Sequence, residues 1–269
     1  MKKILIIGKR GFIGKNLAKS LNKKLITSHI SFDSFLKKTN IINNYDYVIN
    51  TSINKDYLKK KYNKNFDNDL KISNFIKKKN IIYIFLSTRK IYKSNENIRE
   101  NSPIKPKCNY SKNKLITEKK LLKKIKKNLI ILRISNIIGY KKKIKKIHTT
   151  FIDTFFNTIQ KGYVVNNETR FKDFISIDKF CEIVYAIIKN NIKGLFNVSI
   201  GEKIYLNELI LWLNKHNKKK LIIKKNVYFN NDSFYLNNKK LMSKINIKNK
   251  KSELKKFCIN LSKKYFLEH

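Results

Sequence analysis

Two sets of residues are placed to do chemistry. The first is Gly8-x-x-Gly11-x-x-Gly14, which directly follows the apolar run Ile4–Ile7. In a strand-to-helix turn each glycine has a task. The first permits the tight turn, the second lets backbone approach a pyrophosphate, and the third lets helix pack on strand. The helix start then offers free N–H groups to phosphate oxygens. The whole chain holds seven Gly, so three at this spacing are more than composition supplies. The second set is Tyr-x-x-x-Lys, which puts a phenol and an ammonium one helical turn apart on one face. That spacing is common in a chain with 14 Tyr and abundant Lys. It occurs at Tyr57/Lys61, Tyr110/Lys114, Tyr185/Lys189 and Tyr235/Lys239. Context selects Tyr110/Lys114. A loop carrying both prolines of the chain, Pro103 and Pro106, leads into Tyr110. Upstream, Ser87-Thr88 closes an apolar run, at the carboxyl edge where open parallel sheets bind ligands. The other three tyrosines read as surface or packing residues.

The elements that must position these residues alternate between short apolar runs and longer lysine-rich segments. Strands are expected at Ile4–Ile7, Lys24–Ile30, Tyr47–Asn50, Ile81–Leu86 and Leu129–Ile134. Helices are expected at Lys15–Asn22, Asn65–Lys79 and Ser111–Lys127. Continuous apolar runs suit a sheet buried on both faces, and the alternation implies parallel strands with helices on both sides. Further on, the pattern predicts a helix at Thr149–Gln160, a strand at Phe174–Ile177, a helix at Lys179–Asn190 and a strand at Leu195–Val198. Two helical stretches around one strand follow within 202–269, with Trp212 and its neighbours Leu211 and Leu213 as packing residues. The expected fold is α/β, a doubly wound parallel sheet. Residues 1–140 form a nucleotide-binding domain to which 174–200 returns. Residues 141–173 and 201–269 form a smaller α/β lobe.

Composition is dominated by charge. Lys+Arg is 62 against 18 Asp+Glu, a net +44, which by itself suggests nucleic acid or an anionic membrane. However, 57 of those cations are Lys and five are Arg, while Ala and Pro number two each. Lys, Ile and Asn make up about half of the chain. This is the bias of A/T-rich codons filling tolerant surface. A base-reading surface keeps Arg for bidentate contacts, so no nucleic-acid partner is expected. Cys108, Cys181 and Cys258 are odd in number and far apart, and the four His show no ligand pairing, so neither a disulfide framework nor a metal site is expected. The opening MKKILIIGK reads as a buried strand rather than a signal peptide. No run of about 18 apolar residues suggests a membrane span. The expected location is the cytoplasm.

Several marks in order make the chain resemble the extended short-chain dehydrogenase/reductase family of nucleotide-sugar epimerases, reductases and dehydratases. They are GKRGFIG at 8–14, YDYVINTS at 45–52, FLSTRKIY at 85–92, YSKNK at 110–114 with Glu118 after it, LRISNIIG at 132–139, KDFISID at 172–178 and LFNVSIGEKIYLNEL at 195–209. The resemblance implies roles. Tyr110 is the proton donor or acceptor at the sugar. Lys114 lowers the Tyr pKa and holds the cofactor ribose. Thr88, with Ser87 beside it, hydrogen-bonds the reacting oxygen. The cofactor is lined by Gly8, Arg10, Gly11, Phe12, Ile13, Gly14, Asn50, Thr51 and Ser52, with Tyr110 and Lys114. The substrate's phosphate side meets Asn136, Lys172 and Arg170. The implied partner is a nucleotide-diphosphate sugar, in the synthesis of surface-polysaccharide precursors, and the resemblance also implies a homodimer through helices 65–79 and 111–127.

Departures narrow the activity. The 4,6-dehydratases of this family carry Asp-Glu after the Thr, and the fucose-type epimerase-reductases carry Cys. This chain has Arg89-Lys90. Reduction of a 4-keto(-6-deoxy) nucleotide sugar and C4 epimerisation remain, and chain length favours the reductases resembling dTDP-4-dehydrorhamnose reductase. The family's "RDF" arginine is Lys172 here, with Arg170 close by. The second strand ends Thr27-Ser28-His29-Ile30 with Asp33 following late. An NAD enzyme usually ends it with a carboxylate, so with Arg10 in the glycine loop NADP(H) is favoured over NAD(H). The rivals are an epimerase of the same fold, a nucleic-acid binder and a non-catalytic relative.

Overall fold

A computed structural model describes residues 1–76, 80–139, 151–166, 170–219, 221–225 and 232–267. The strands are β1 (Lys3–Ile7), β2 (Ile26–Ile30), β3 (Tyr47–Asn50), β4 (Ile82–Thr88), β5 (Leu129–Ile134), β6 (Asn136–Ile138), β7 (Tyr163–Asn166), β8 (Phe171–Lys172), β9 (Phe174–Ser176), β10 (Gly194–Val198), β11 (Ile204–Tyr205) and β12 (Ile222–Lys225). The helices are α1 (Phe12–Leu21), α2 (Phe32–Lys37), α3 (Lys55–Lys59), α4 (Asn68–Ser73), α5 (Asn109–Ile125), α6 (Phe151–Gln160), α7 (Ile177–Lys189), α8 (Leu206–Leu213), α9 (Lys239–Met242) and α10 (Lys251–Phe266).

Six strands form one parallel sheet in the order β10-β5-β4-β3-β1-β2. Alternate residues of each apolar run face opposite sides. Ile4, Ile6, Ile49, Ile84 and Leu132 pack under α1 and α7, in one core with Leu17 and Phe180. Leu5, Ile7, Val48, Tyr83 and Phe85 face the other way, in a core with Ile72 of α4 and Leu121 of α5. Burial on both faces explains why these strands lack a polar alternation. The chain runs outward from β1 to β2, then returns to β3 on the other side of β1. That reversal leaves a crevice at the carboxyl edge between β1 and β3.

The remaining elements make three small two-stranded ladders: β6 with β9, β8 with β11, and β7 with β12. Their core includes Phe155, Phe156, Trp212, Leu213, Leu254 and Cys258. The Phe156 ring stacks on Tyr265 at 3.9 Å between centroids.

Two expectations are corrected. The span 65–79 is not one helix. Asp67 has extended backbone and its side chain accepts from Leu70 N at 2.9 Å, so the cap starts α4 afresh after a 3-10 turn holding Phe66. Residues 77–79 lie outside the described residues. Within 202–269 three helices and two short strands occur among the described residues. The extra helix, α9, is four residues long, too short to show a period. It is held by Asn238, whose amide donates to the Ser199 and Ile200 carbonyls. Leu211 is exposed, while Trp212 and Leu213 are buried. The helix expected from Thr149 is described from Phe151 onward.

Candidate active site

The glycine loop joins β1 to α1 beside Thr51, the residue after β3. Gly8 has φ +126, and a Cβ there would lie 2.3 Å from Thr51 Oγ1. At Gly14 a Cβ would lie 2.5 Å from Thr51 Oγ1 and 2.6 Å from the Gly8 carbonyl oxygen. Thr51 fills that space because its backbone N–H and its hydroxyl both donate to the Ile7 carbonyl, at 2.7 and 3.0 Å. These two glycines are therefore needed by the fold itself. Gly11 differs. Its φ is −73, and a Cβ would meet nothing closer than 3.6 Å. Among the described residues nothing crowds a Cβ at this helix N-cap, so the position leaves room for an approaching phosphate group. Phe12 and Ile13 open α1, packed against the sheet core. Arg10 is exposed at the mouth of the loop. On the far side of β1, Ser28 accepts from Tyr45 OH at 2.6 Å, and Asp33 is exposed in the first turn of α2.

Asn50 and Ser52 hold the β3 end in shape. The Asn50 side-chain oxygen accepts from Ser52 N at 2.9 Å and Ser52 Oγ at 2.6 Å, while its amide donates to Asp69 Oδ1 at 2.9 Å.

At the carboxyl end of β4, Thr88 lies beside Tyr110, close enough for its hydroxyl to lower the phenol's pKa, and its oxygen accepts from Lys90 N at 3.3 Å. Tyr110 stands in the first turn of α5, with Lys114 one turn later. Burial pushes the Tyr110 phenol above its usual range. The Lys114 charge and the Thr88 hydroxyl pull it down, and Asp69 pushes it up again. The pull from Lys114 has the direction expected from the sequence, but burial outweighs it.

Lys114 is itself buried. Its Nζ lies 3.4 Å from Asp69 Oδ2 and 4.4 Å from the centre of the Phe85 ring. Burial works against the ammonium, yet Asp69, Tyr110 and Asp67 overcome it and raise its pKa above the ordinary lysine value. Around this pair lies a polar network that the sequence reading did not single out. Tyr83 OH donates to Asp69 Oδ1 at 2.7 Å, Thr117 Oγ1 to Asp67 Oδ2 at 2.7 Å, and Tyr62 OH to the same Asp67 oxygen at 3.0 Å. Tyr57, of the discarded Tyr57/Lys61 pair, is buried against Thr117 at 2.6 Å. One signal was present: Asp67 and Asp69 are two acids between the apolar Phe66 and Leu70, in a segment otherwise rich in Lys.

Ser87 turns away from Tyr110. Its hydroxyl donates a short bond to Glu118, which also takes the Arg133 fork at 2.7 and 3.2 Å. Arg133 further donates to Tyr92 OH at 2.9 Å. This buried pair ties β4, β5 and α5 together directly behind Thr88.

On the lobe side, Arg89 is buried with its ring-stacked guanidinium 3.6 Å from the Phe234 centroid, and it forks onto Asp232 at 2.8 and 3.1 Å. Lys172 reaches the same carboxylate at 3.4 Å. Burial raises the Asp232 carboxyl, but Arg89, Ser94 and Lys172 win and hold it well below the carboxylate range. Burial lowers the Lys172 ammonium, with Arg89 and Arg170 adding to that and Asp232 opposing it. Nothing in the sequence marked Asp232. Asn136 donates to the Asp173 carbonyl at 3.1 Å. The structure thus gathers Thr88, Tyr110 and Lys114, and separately Arg89, Lys172 and Arg170. Among the described residues no three His, Cys, Asp or Glu cluster as metal ligands.

Solved structures share this fold across the full length. A UDP-N-acetylglucosamine 4-epimerase from Methanobrevibacter ruminantium M1, in complex with UDP-N-acetylmuramic acid, superposes with a TM-score of 0.80 at 18% identity, over 100% of this chain and 99% of that one. A UDP-glucose 4-epimerase from Bifidobacterium longum, in complex with NAD+ and UDP, gives 0.77 at 17% identity over 97% and 98%. A dTDP-4-dehydrorhamnose reductase from Clostridium acetobutylicum ATCC 824 gives 0.73 at 16% identity over 96% and 99%. The model of the NAD dependent epimerase/dehydratase family matches residues 4–199, most of the chain, and with it the glycine loop and the Thr88/Tyr110/Lys114 group. The chain belongs to the NAD dependent epimerase/dehydratase family.

Proposed function

We propose that the chain reduces the 4-keto group of a nucleotide-diphosphate sugar, with Tyr110 as the proton donor. The observation that carries this reading is the contact of Tyr110 with Thr88 at the end of β4, one turn from the buried Lys114. When the carbonyl oxygen becomes a hydroxyl it takes up one proton. Tyr110 gives that proton, and Thr88 holds the same oxygen. The Lys114 ammonium stabilises the phenolate left behind. Gly8, Arg10, Gly11, Phe12, Ile13, Gly14, Asn50, Thr51 and Ser52 would hold a nicotinamide dinucleotide, which would supply the hydride. The β2 end carries Ser28 and His29 where a 2′-hydroxyl ligand would be a carboxylate, which supports NADP(H) over NAD(H). Arg170, Lys172 and Asn136 face the diphosphate, with Ser87 lying behind Thr88.

Arg89 supports a simple reduction over dehydration or C3/C5 epimerisation. It occupies the position after Thr88 with a guanidinium forked onto Asp232, a group that stays protonated and cannot act as acid and base in turn. C4 epimerisation is the second reading, since it needs the same three residues. Two measurements test the proposal. Tyr110→Phe abolishes turnover while NAD(P)H still binds; retained turnover overturns the reading. Mass spectrometry of nucleotide released on denaturation separates the activities. Protein that is empty and takes up NADPH or NADH supports the reductase, and stoichiometric NAD moves the assignment to the epimerase.

A further inference from the structure

The buried carboxylate opposite Lys114 has a consequence for the chemistry of Tyr110. Asp69 lies in the first turn of α4, and its two oxygens are divided between different tasks. Oδ1 accepts from Asn50 Nδ2 at 2.9 Å and from Tyr83 OH at 2.7 Å. Oδ2 faces only the Lys114 ammonium among the contacts described, at 3.4 Å. The side chains of the pair are 8% and 6% exposed, so water screens the interaction poorly. The two neutral donors anchor the carboxylate from β3 and β4, and the anchored carboxylate fixes the ammonium on α5.

We propose that Asp69 is a positioning residue of this site: it holds the Lys114 ammonium in place and partly cancels the positive charge that Tyr110 would otherwise face. This inference rests on the reading of Tyr110 and Lys114 given above.

The groups facing Asp69 are few and lie on identified elements. Tyr110 and Lys114 come from α5, Tyr83 from β4, Tyr57 from α3, and Asp67 from the turn before α4, while Cys108, at the N-cap of α5, also faces Tyr110 and raises its phenol. Burial pushes Tyr57 and Tyr83 far above the usual phenol range, with the two aspartates adding to it, so both stay neutral. Burial and the neighbouring Asp69 both raise the Asp67 carboxyl. Of the two carboxylates that favour the Lys114 ammonium, Asp69 is the one in direct contact and has the larger effect. An uncompensated Lys114 charge would favour the phenolate of Tyr110 more strongly and would make Tyr110 a stronger acid at rest. The anion on Asp69 offsets part of that pull and raises the proton affinity of the phenol.

Asp69→Asn isolates this effect. The amide oxygen can still accept from Asn50 and Tyr83, while the amide nitrogen replaces the charged oxygen that faces Lys114. The readout is the Tyr110 titration itself, followed by NMR of protein labelled at tyrosine 13Cζ, with the resonance assigned by its loss in Tyr110→Phe. No substrate is needed. The expected result is a Tyr110 midpoint lower by about one pH unit in Asp69→Asn. Tyr83→Phe removes one bond to the same carboxylate and keeps its charge, so its midpoint stays within a few tenths of wild type. An unchanged or raised midpoint in Asp69→Asn overturns the proposal, and so does an equal shift in Tyr83→Phe. Turnover retained in Tyr110→Phe instead removes the reading beneath it, and the two failures are told apart because one is a titration and the other a rate.

Discussion

Substituting Ala for each loop glycine separates the glycines that serve the fold from the one that serves a ligand. Gly8→Ala places a methyl 2.3 Å from Thr51 Oγ1 and 2.7 Å from Ser52 N, at φ +126. Backbone strain of about 1–3 kcal/mol and overpacking of a similar size add to a loss of about 2–6 kcal/mol. Gly14→Ala meets the Gly8 carbonyl oxygen at 2.6 Å, which is backbone and cannot swing aside. Gly11→Ala costs nothing of this kind. Its backbone lies in a region open to any residue, and its methyl sits in ordinary contact with the Thr51 and Gly8 carbonyls at 3.6 and 3.7 Å. Loss of unfolded-state freedom stabilises this variant by about 0.4–1 kcal/mol, the poorer N-cap that Ala makes costs a similar amount, and its stability stays within about 1 kcal/mol of wild type. The same methyl occupies the space assigned to the pyrophosphate. Dinucleotide affinity is expected to fall about 10- to 100-fold, or about 1.4–2.8 kcal/mol. Urea denaturation of the three variants gives the first quantity, and fluorescence titration with NADPH and NADH gives the second. Gly11→Ala with wild-type affinity for both nucleotides, or with a stability loss matching Gly8→Ala, refutes the argument.

The Arg133–Glu118 pair provides a second test, because its side chains are 5% and 2% exposed. Glu118→Gln should cost about 3–5 kcal/mol in urea denaturation, and Glu118→Leu combined with Arg133→Met should recover much of that loss. A double variant no stabler than the single one would show that the fork is not the source. Acid sensitivity gives a third. Arg89 holds the Asp232 carboxyl below its unfolded value, so the stability from this pair is complete above about pH 4 and is lost as pH falls below it. With the Asp232 side chain 37% exposed, the contribution is about 1 kcal/mol. The difference in thermal midpoint between wild type and Asp232→Asn should therefore shrink from pH 5 to pH 2.5, and a constant difference would contradict the assignment.

Much of the layout was legible along the chain because its causes are local. Continuous apolar runs at Ile4–Ile7 and Ile81–Leu86 can be satisfied only by a sheet covered on both faces, and both became interior strands. In a chain so poor in glycine, Gly8 and Gly14 marked places where a side chain has no room. Thr88 and the Tyr110/Lys114 spacing marked the edge of β4 and one face of α5. Where local causes compete, the reading slipped. Phe66, Leu70, Ile72 and Phe75 have helical spacing, yet the side chain of Asp67 caps a new helix in their midst.

What tertiary structure alone decided is the pairing of charges. Asp69 meets Lys114 across 45 residues, Glu118 meets Arg133 across 15, and Asp232 meets Arg89 across 143. Sequence spacing is silent on such contacts, because they depend on which strands become neighbours. Once water is excluded from the ends of β3, β4 and β5, each buried charge must find an opposite one, and those partners set the proton affinities at the site. The residue types fit for the chemistry were visible in the sequence, whereas their electrostatic state was fixed by what the fold packed against them.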